Sequence, residues 1–297
     1  GRPMRIAVLD IGGTSIKSGL WNGRELVQTR EQDTDAKKGA SHVVSRVLEI
    51  LGTYRPFDGV GISTAGQVNS KEGFIRYANE NIPGYTGTRL RDLVASEFGV
   101  PVAVENDVNA AALGEAVWGA GRDHEDFLCL TYGTGVGGAI IIGKKVYSGS
   151  MFSAGEFGGM VVHPESRVEG QPFSGCYEKY ASATALVAEA KRFDETLTNG
   201  RQIFARFQEP EVRRIVDRWI DEIVHGLVTV IHIFNPSCVI LGGGVMEQPY
   251  ILGQVRERTT DRIMDSFRNV KLKTAALGNK AGLMGASWMA MEQMKKT

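Results

Sequence analysis

Apolar positions along this chain fall into two rhythms, and the switches between them mark the elements. Ile6-Ala-Val-Leu9 is a continuous apolar run that stops at Asp10 and the turn Ile11-Gly-Gly-Thr14. It predicts a buried strand from Arg5, with Ile16-Lys-Ser-Gly-Leu-Trp21 as its return. Val43, Val44, Val47, Leu48 and Leu51 recur at three- and four-residue steps and predict a helix over 41–52. Gly59 to Ser63 reads as another strand, followed by a loop at Thr64-Ala-Gly-Gln67, and Leu90 to Phe98 as a short helix. Pro101 opens a further apolar run, Val102-Ala-Val-Glu-Asn-Asp107, which gives way to an alanine-rich helix over Val108 to Val117.

The second half begins much as the first does. Phe127 to Thr131 predicts a strand, Tyr132-Gly-Thr-Gly-Val-Gly-Gly138 a turn, and Ala139 to Ile142 a return strand. Strand, glycine turn and strand thus occur twice, about 120 residues apart, which reads as a duplicated architecture. Farther on, Val212, Ile215, Trp219, Ile220, Ile223, Leu227 and Ile231 share one face of a long helix over 211–234, which Asn235-Pro236 ends. That stripe fits either a core or an interface. Val239 to Val245 carries a third glycine turn, and Ala281 to Met294 predicts a closing helix. Pro164 to Ser174 is the least regular stretch.

Composition narrows the function classes. The 297 residues suffice for two domains, and Lys+Arg and Asp+Glu both total 34, so no basic surplus points to nucleic acid. No apolar run approaches the ~20 residues of a membrane span. Gly1-Arg-Pro3, ahead of Met4, lacks a signal peptide's apolar centre and reads as an expression remnant. Cys129, Cys176 and Cys238 are too scattered for a disulfide framework or a metal-ligand pair, which fits a reducing cytosol.

The candidate chemistry sits in the turns and beside them. In Asp10-Ile-Gly-Gly-Thr14 the glycines let backbone N–H groups approach an anion, and Thr14 adds a donor. Asp10 suits a Mg²⁺ held through water, and Lys17 offsets phosphate charge, although a plain hairpin also explains the pattern. Gly133-x-Gly135-x-x-Gly138 matches a dinucleotide fingerprint formally, but a strand rather than a helix follows, so the Rossmann reading fails. A near P-loop at Gly138 to Lys144 fails too, because Lys145 stands where Ser or Thr is required. What remains is a phosphate-binding hairpin. Gly242-Gly-Gly244 suits approach to a base and ribose, or an ordinary connection. Asp107, at a strand end beside Asn106, reads equally as a general base or a helix cap. Glu156 and Glu178, taken singly, are indistinguishable from surface acids, and His163, His225 and His232 look isolated.

Together these motifs give a resemblance. Asp10-Ile-Gly-Gly-Thr14, Glu105-Asn-Asp-Val-Asn109, Thr131-Tyr-Gly-Thr-Gly-Val-Gly-Gly138, Gly155-Glu-Phe-Gly158, Gly175-Cys-Tyr-Glu178 with Tyr180-Ala-Ser182, and Leu241-Gly-Gly-Gly244 stand in the order of the ROK family of bacterial sugar kinases. The chain resembles that family from Met4 to about Ala290. The resemblance implies a two-domain α/β protein of actin-like ATPase (ribonuclease H-like) fold with an interdomain cleft. Its domains would be residues 4–115 plus 285–297 and residues 116–284. It implies ATP and Mg²⁺ as cofactors, with nucleotide contacts from Asp10, Gly12, Gly13, Thr14, Lys17, Thr131, Gly133, Thr134, Gly135, Gly137, Gly138, Gly242, Gly243 and Gly244. Asp107 would be the base for a sugar 6-hydroxyl, and Thr64, Ala65, Gly66, Asn81, Asn106, Glu156 and Glu178 would line the sugar. A cytoplasmic homodimer is expected, acting on a small-molecule sugar and binding neither nucleic acid nor membrane.

One departure stands out. Many members of the family hold zinc through a His after Gly-Glu-x-Gly and a run of cysteines. Here Gly159 occupies the His position and only Cys176 remains of the run, too few ligands for a structural site, so no zinc is expected. Because that His also touches sugar, its loss leaves the substrate open and leaves more room beside Gly159. Gly61-Ile-Ser-Thr-Ala-Gly66 and Ile82-Pro-Gly-Tyr-Thr-Gly87 look like zinc-less N-acetylmannosamine kinases, which puts that sugar slightly ahead of glucose and β-glucosides. The rival reading is a sugar-sensing transcriptional regulator. The expectation runs against it, since such members carry an N-terminal helix-turn-helix and a strand is expected here by Arg5.

Overall fold

Ile6–Ile11 (β1) is buried along its length, and its neighbours explain why. It pairs antiparallel with Ser15–Trp21 (β2) and parallel with Gly59–Thr64 (β4), so it lies inside a sheet covered on both faces. The computed structural model describes residues 2–297. The first stretch continues through Leu26–Asp33 (β3), Ala40–Gly52 (α1), Gln67–Asn69 (β5), Phe74–Tyr77 (β6), Leu90–Phe98 (α2), Val102–Asn106 (β7) and Asp107–Trp118 (α3). Strand order in the first sheet is β3-β2-β1-β4-β7, with β7 parallel to β4 at one edge. The strand β3 was not foreseen: an edge strand exposed along most of its length has no apolar alternation to betray it.

The later stretch runs Phe127–Tyr132 (β8), Val136–Ile142 (β9), Lys145–Val146 (β10), Glu178–Ala181 (α4), Ala183–Phe193 (α5), Gly200–Ala205 (α6), Pro210–Phe234 (α7), Cys238–Gly242 (β11), Pro249–Arg262 (α8), Lys271–Thr274 (β12) and Ala281–Lys295 (α9). Its sheet has the order β10-β9-β8-β11-β12, with β8, β11 and β12 mutually parallel. The two sheets therefore share one plan: a glycine-turn hairpin at one side and parallel strands at the other. Of the expected elements, α1, α2, α7 and α9 form within a residue or two of their predicted ends.

Contacts divide the described residues into two units, residues 2–123, 141–154 and 276–297 in one and 124–140 and 155–275 in the other. In the first unit, Leu9, Ile11, Val47, Leu51, Ile62 and Val104 belong to one core. Ile6 and Val8, on the other face of β1, pack with Leu283, Ala286 and Ala290 of α9. The approach of α9 is close enough that glycine is required: a Cβ on Gly285 would overlap the Ala110 carbonyl, and one on Gly61 the Ala286 carbonyl. In the second unit the α7 stripe is core, since Val212, Ile215, Trp219, Ile220, Ile223, Leu227 and Ile231 are all buried. Among the described residues no helix is long and apolar enough to cross a membrane.

Candidate active site

The site residues of the first unit are gathered where β7 becomes α3. Asn106 is the helix cap: its Oδ1 accepts from the N–H groups of Val108 at 3.0 Å and Asn109 at 3.2 Å. Asp107 is the first helical residue, so the capping role open to it from sequence falls mainly to its neighbour, and its Oδ1 accepts from the following N–H, that of Val108, at 2.9 Å. The Asn106 Nδ2 donates to the Gly66 carbonyl at 2.6 Å, which ties the Thr64-Ala-Gly66 loop to the junction. Thr64 is buried and shares a 2.6 Å hydrogen bond with the Tyr85 hydroxyl. Burial and the charge of Asp10 push the Asp107 carboxyl up to about 6, against the hydrogen bonds it accepts. A carboxylate poised there is ionised at neutral pH yet basic enough to take a proton.

Asp10 ends β1. The register sets it beside Lys17 on β2 and Ser63 on β4, and the Ser63 hydroxyl donates to its Oδ1 at 2.9 Å. Burial raises its pKa, while Ser63 and Lys17 oppose the rise. On its other side Gly282 leaves room that a side chain would fill, since a Cβ there would sit 2.8 Å from Oδ2. A half-buried carboxylate with one oxygen clear of side chains fits a hydrated divalent cation, which would offset the cost of its burial. Beyond it Gly12 donates to the Ser15 carbonyl at 2.9 Å, and Gly13 and Thr14 are exposed. Open space surrounds the Gly13 α-carbon, as an approaching anion requires. Asn81 is exposed in the turn before Tyr85, and among the described residues no side-chain hydrogen bond joins it to this set.

The second unit gathers the rest. The turn after β8 is closed by Gly133 N–H donating to the Gly135 carbonyl at 3.0 Å, and Ala183 at the start of α5 donates to the Gly133 carbonyl at 3.0 Å. Glu178 lies under this turn, its Oε1 accepting from Val136 N–H at 3.1 Å. A Cβ on Gly135 would collide with that carboxylate, so the glycine is a packing requirement as well as a turn residue. Glu156 is near enough to feel Glu178: partial desolvation, then the charge of Glu178, raise its pKa. Thr134 is exposed, Thr131 half-buried, and Gly137 and Gly138 open β9. Gly243 has φ 103°, and a side chain there would strike the Tyr132 carbonyl, which brings the third glycine turn against the end of β8.

Three residues escaped sequence reasoning. Ser63 and Tyr85 gain their place only through strand register and packing. His163, read as isolated, is in fact paired: its Nδ1 is 2.7 Å from Glu165 and its Nε2 2.8 Å from Glu222, with the Tyr180 ring 4.0 Å away. Glu222 lies 59 positions along the chain, beyond any local signal. Among the described residues no group of three or more His, Cys, Asp and Glu side chains is arranged to hold a metal ion.

Two mixed five-stranded sheets, each opening on a strand–glycine turn–strand unit, define an α/β protein of the actin-like ATPase fold. The profile of the ROK family matches residues 6–293, and the chain belongs to that family. Its relatives include a β-glucoside kinase of Listeria monocytogenes, 32% identical with 98% of each chain covered. The glucokinase of Thermotoga maritima is 31% identical, again over 98% of both. A ROK glucokinase of Streptomyces griseus, solved with glucose and AMPPNP, superposes with a TM-score of 0.80 at 32% identity over 97% of this chain and 99% of that one.

Proposed function

We propose that this protein is an ATP-dependent kinase that phosphorylates the 6-hydroxyl of a hexose, with Asp107 as the general base. The observation that carries the reading is the Asp107 carboxyl at the β7–α3 junction, pushed up to about 6 by burial and by Asp10. Asn106 beside it is fixed by its cap and by Gly66, and its side chain also hydrogen-bonds the Asp107 carboxylate. Phosphoryl transfer asks for positioning and charge neutralisation more than covalent chemistry. Asp107 would orient the 6-hydroxyl and accept its proton as the oxygen bonds to the γ-phosphorus and the bond to the β-phosphate oxygen breaks, releasing ADP.

The Gly12–Gly13 turn with the Gly13 N–H, the Thr14 hydroxyl and Lys17 suit the phosphates, as do Thr131 and the turn Gly133, Thr134, Gly135, Gly137 and Gly138. Asp10 is the residue suited to a Mg²⁺ held through water, which when bound would neutralise charge on the triphosphate. The Gly242–Gly244 turn suits the nucleoside, and Thr64, Ala65, Gly66, Asn81, Glu156 and Glu178 suit the sugar. Zinc has no part in this scheme.

Taken alone, the motifs at 61–66 and 82–87 favour N-acetylmannosamine slightly, a preference the relatives above do not share. The relatives described above are kinases of glucose and β-glucosides, which supports a glucose-configured hexose as the substrate class. Asp107→Asn tests the base directly. Sugar affinity measured by calorimetry should stay within a few-fold, while kcat falls by ~10²–10⁴. A variant turning over at near the parental rate would remove Asp107 from the role.

A further inference from the structure

Glu105 stands two residues before Asp107 and is buried, yet the transfer chemistry has no use for it. Its surroundings show what it does. The strand β7 is the last of its sheet, so N–H groups on its outer side face no strand. Glu105 Oε1 accepts the Asn106 N–H at 2.8 Å. The same oxygen lies 3.3 Å from the Nδ2 of Asn109, in the first turn of α3. One carboxylate therefore holds the end of the strand and the start of the helix together, with Asp107 between the two residues it grips. Asn106 in turn caps the helix and fastens the Gly66 loop.

We propose that Glu105 is the positioning residue of this site: its carboxylate fixes Asn106 and Asn109 so that Asp107 and the Gly66 loop are held ready for the sugar. The kinetic part of this proposal rests on Asp107 being the base; the structural part does not. An ionised carboxylate is the stronger acceptor, because charge-assisted hydrogen bonds are roughly twice as strong as neutral ones. Protonating Glu105 loosens the junction.

Glu105 also has a route to solvent. It lines a cavity of about 330 Å³ on the first unit, together with Val104 and Trp288. The charged groups around that cavity are Arg91 of α2, Lys144 and Lys145 at β10, and Glu292 and Lys296 of α9. Arg91 donates to the carbonyls of Val102, Lys71 and Ser70, and Lys144 to those of Ala116, Gly121 and Arg122. Burial pushes the Glu105 carboxyl up to about 7, against hydrogen bonds from Asn106, Asn109 and Ser70. The grip therefore strengthens as pH rises through neutrality.

The test uses Glu105→Gln, which keeps an acceptor oxygen but cannot ionise, and Glu105→Ala, which removes the acceptor. Amide hydrogen exchange at Asn106 to Asn109 is followed in the sugar-free protein, and kcat/KM for sugar is measured from pH 5 to 9. In Glu105→Ala, exchange should speed up by about tenfold or more, the scale of one lost hydrogen bond to a charged group. In Glu105→Gln, kcat/KM at pH 8 should drop several-fold, and the acid limb should fall from two ionisations to the single one of Asp107. Unchanged exchange in Glu105→Ala, or a parental two-ionisation limb in Glu105→Gln, overturns the proposal. Should Glu105→Ala not fold, the Glu105→Gln profile decides. If Asp107→Asn retains turnover, the base assignment fails while the exchange result still judges Glu105.

Discussion

Glu105 and Asp107 are both carboxylic acids that the fold makes reluctant to ionise, and the sign of that reluctance can be read in stability. Their folded-state values, about 7 and about 6, lie above the ordinary 4.5 and 3.8. The native state thus binds more protons than the unfolded chain between about pH 4 and 7, and the associated stability is present at low pH and lost as pH rises through that window. A tenfold change in an ionisation constant is worth about 1.4 kcal/mol, so Glu105→Gln should gain ~1–3 kcal/mol more over the parent at pH 8 than at pH 5 in denaturant titrations. A gain that does not grow with pH would show that Glu105 titrates normally. Asp194 has the opposite sign: Arg206 and Thr196 hold it at about 2, so its contribution is present above its ordinary pKa and lost only as pH falls toward 2. Asp107 stood out in the sequence because an apolar run ends at it. Glu105 did not, because nothing local says that a Glu ahead of Asn-Asp is buried or that Asn109 turns back to meet it.

At the scale of elements, the junction depends on how α3 meets α9. Gly114 and Gly285 bring the two helices close: a Cβ on Gly114 would sit 2.5 Å from the Ala281 carbonyl, and one on Gly285 would overlap that of Ala110. Backbone rather than side chains makes the contact, so there is no flexible group to give way. Gly285→Ala should therefore cost ~1–3 kcal/mol, the usual scale of overpacking, and lower Tm. It should also weaken sugar binding, because α3 carries Asp107 at its first position. An unchanged Tm would mean that the helices part freely. Elements with strong period or unbroken apolar runs were legible from sequence: β1, β4, β7, β8, α1 and α7. Those that were missed share a physical reason. β3 and β12 are short or exposed edge strands, and α8 is largely polar with only Ile251, Val255 and Thr259 buried. Their places are set by neighbours rather than by their own pattern.

At the scale of the molecule, two sheets of one plan carry glycine turns at equivalent places, β1 to β2 and β8 to β9, as the repeated strand–turn–strand pattern suggested. Family membership and the glycine turns agree with a nucleotide-dependent sugar kinase. Sugar identity is harder to read, because one hydroxyl pattern is told from another by spacing in the folded site rather than by residue type. The most direct test of the kinase reading is ADP release from Mg²⁺-ATP across glucose, mannose, N-acetylmannosamine, N-acetylglucosamine and the β-glucoside cellobiose, with the phosphorylated carbon located by NMR. ADP release should depend on sugar, be highest with a glucose-configured hexose, place phosphate on carbon 6, and be lost in Asp107→Asn. ATP turnover indifferent to every sugar, or phosphate on another carbon, would contradict the kinase reading.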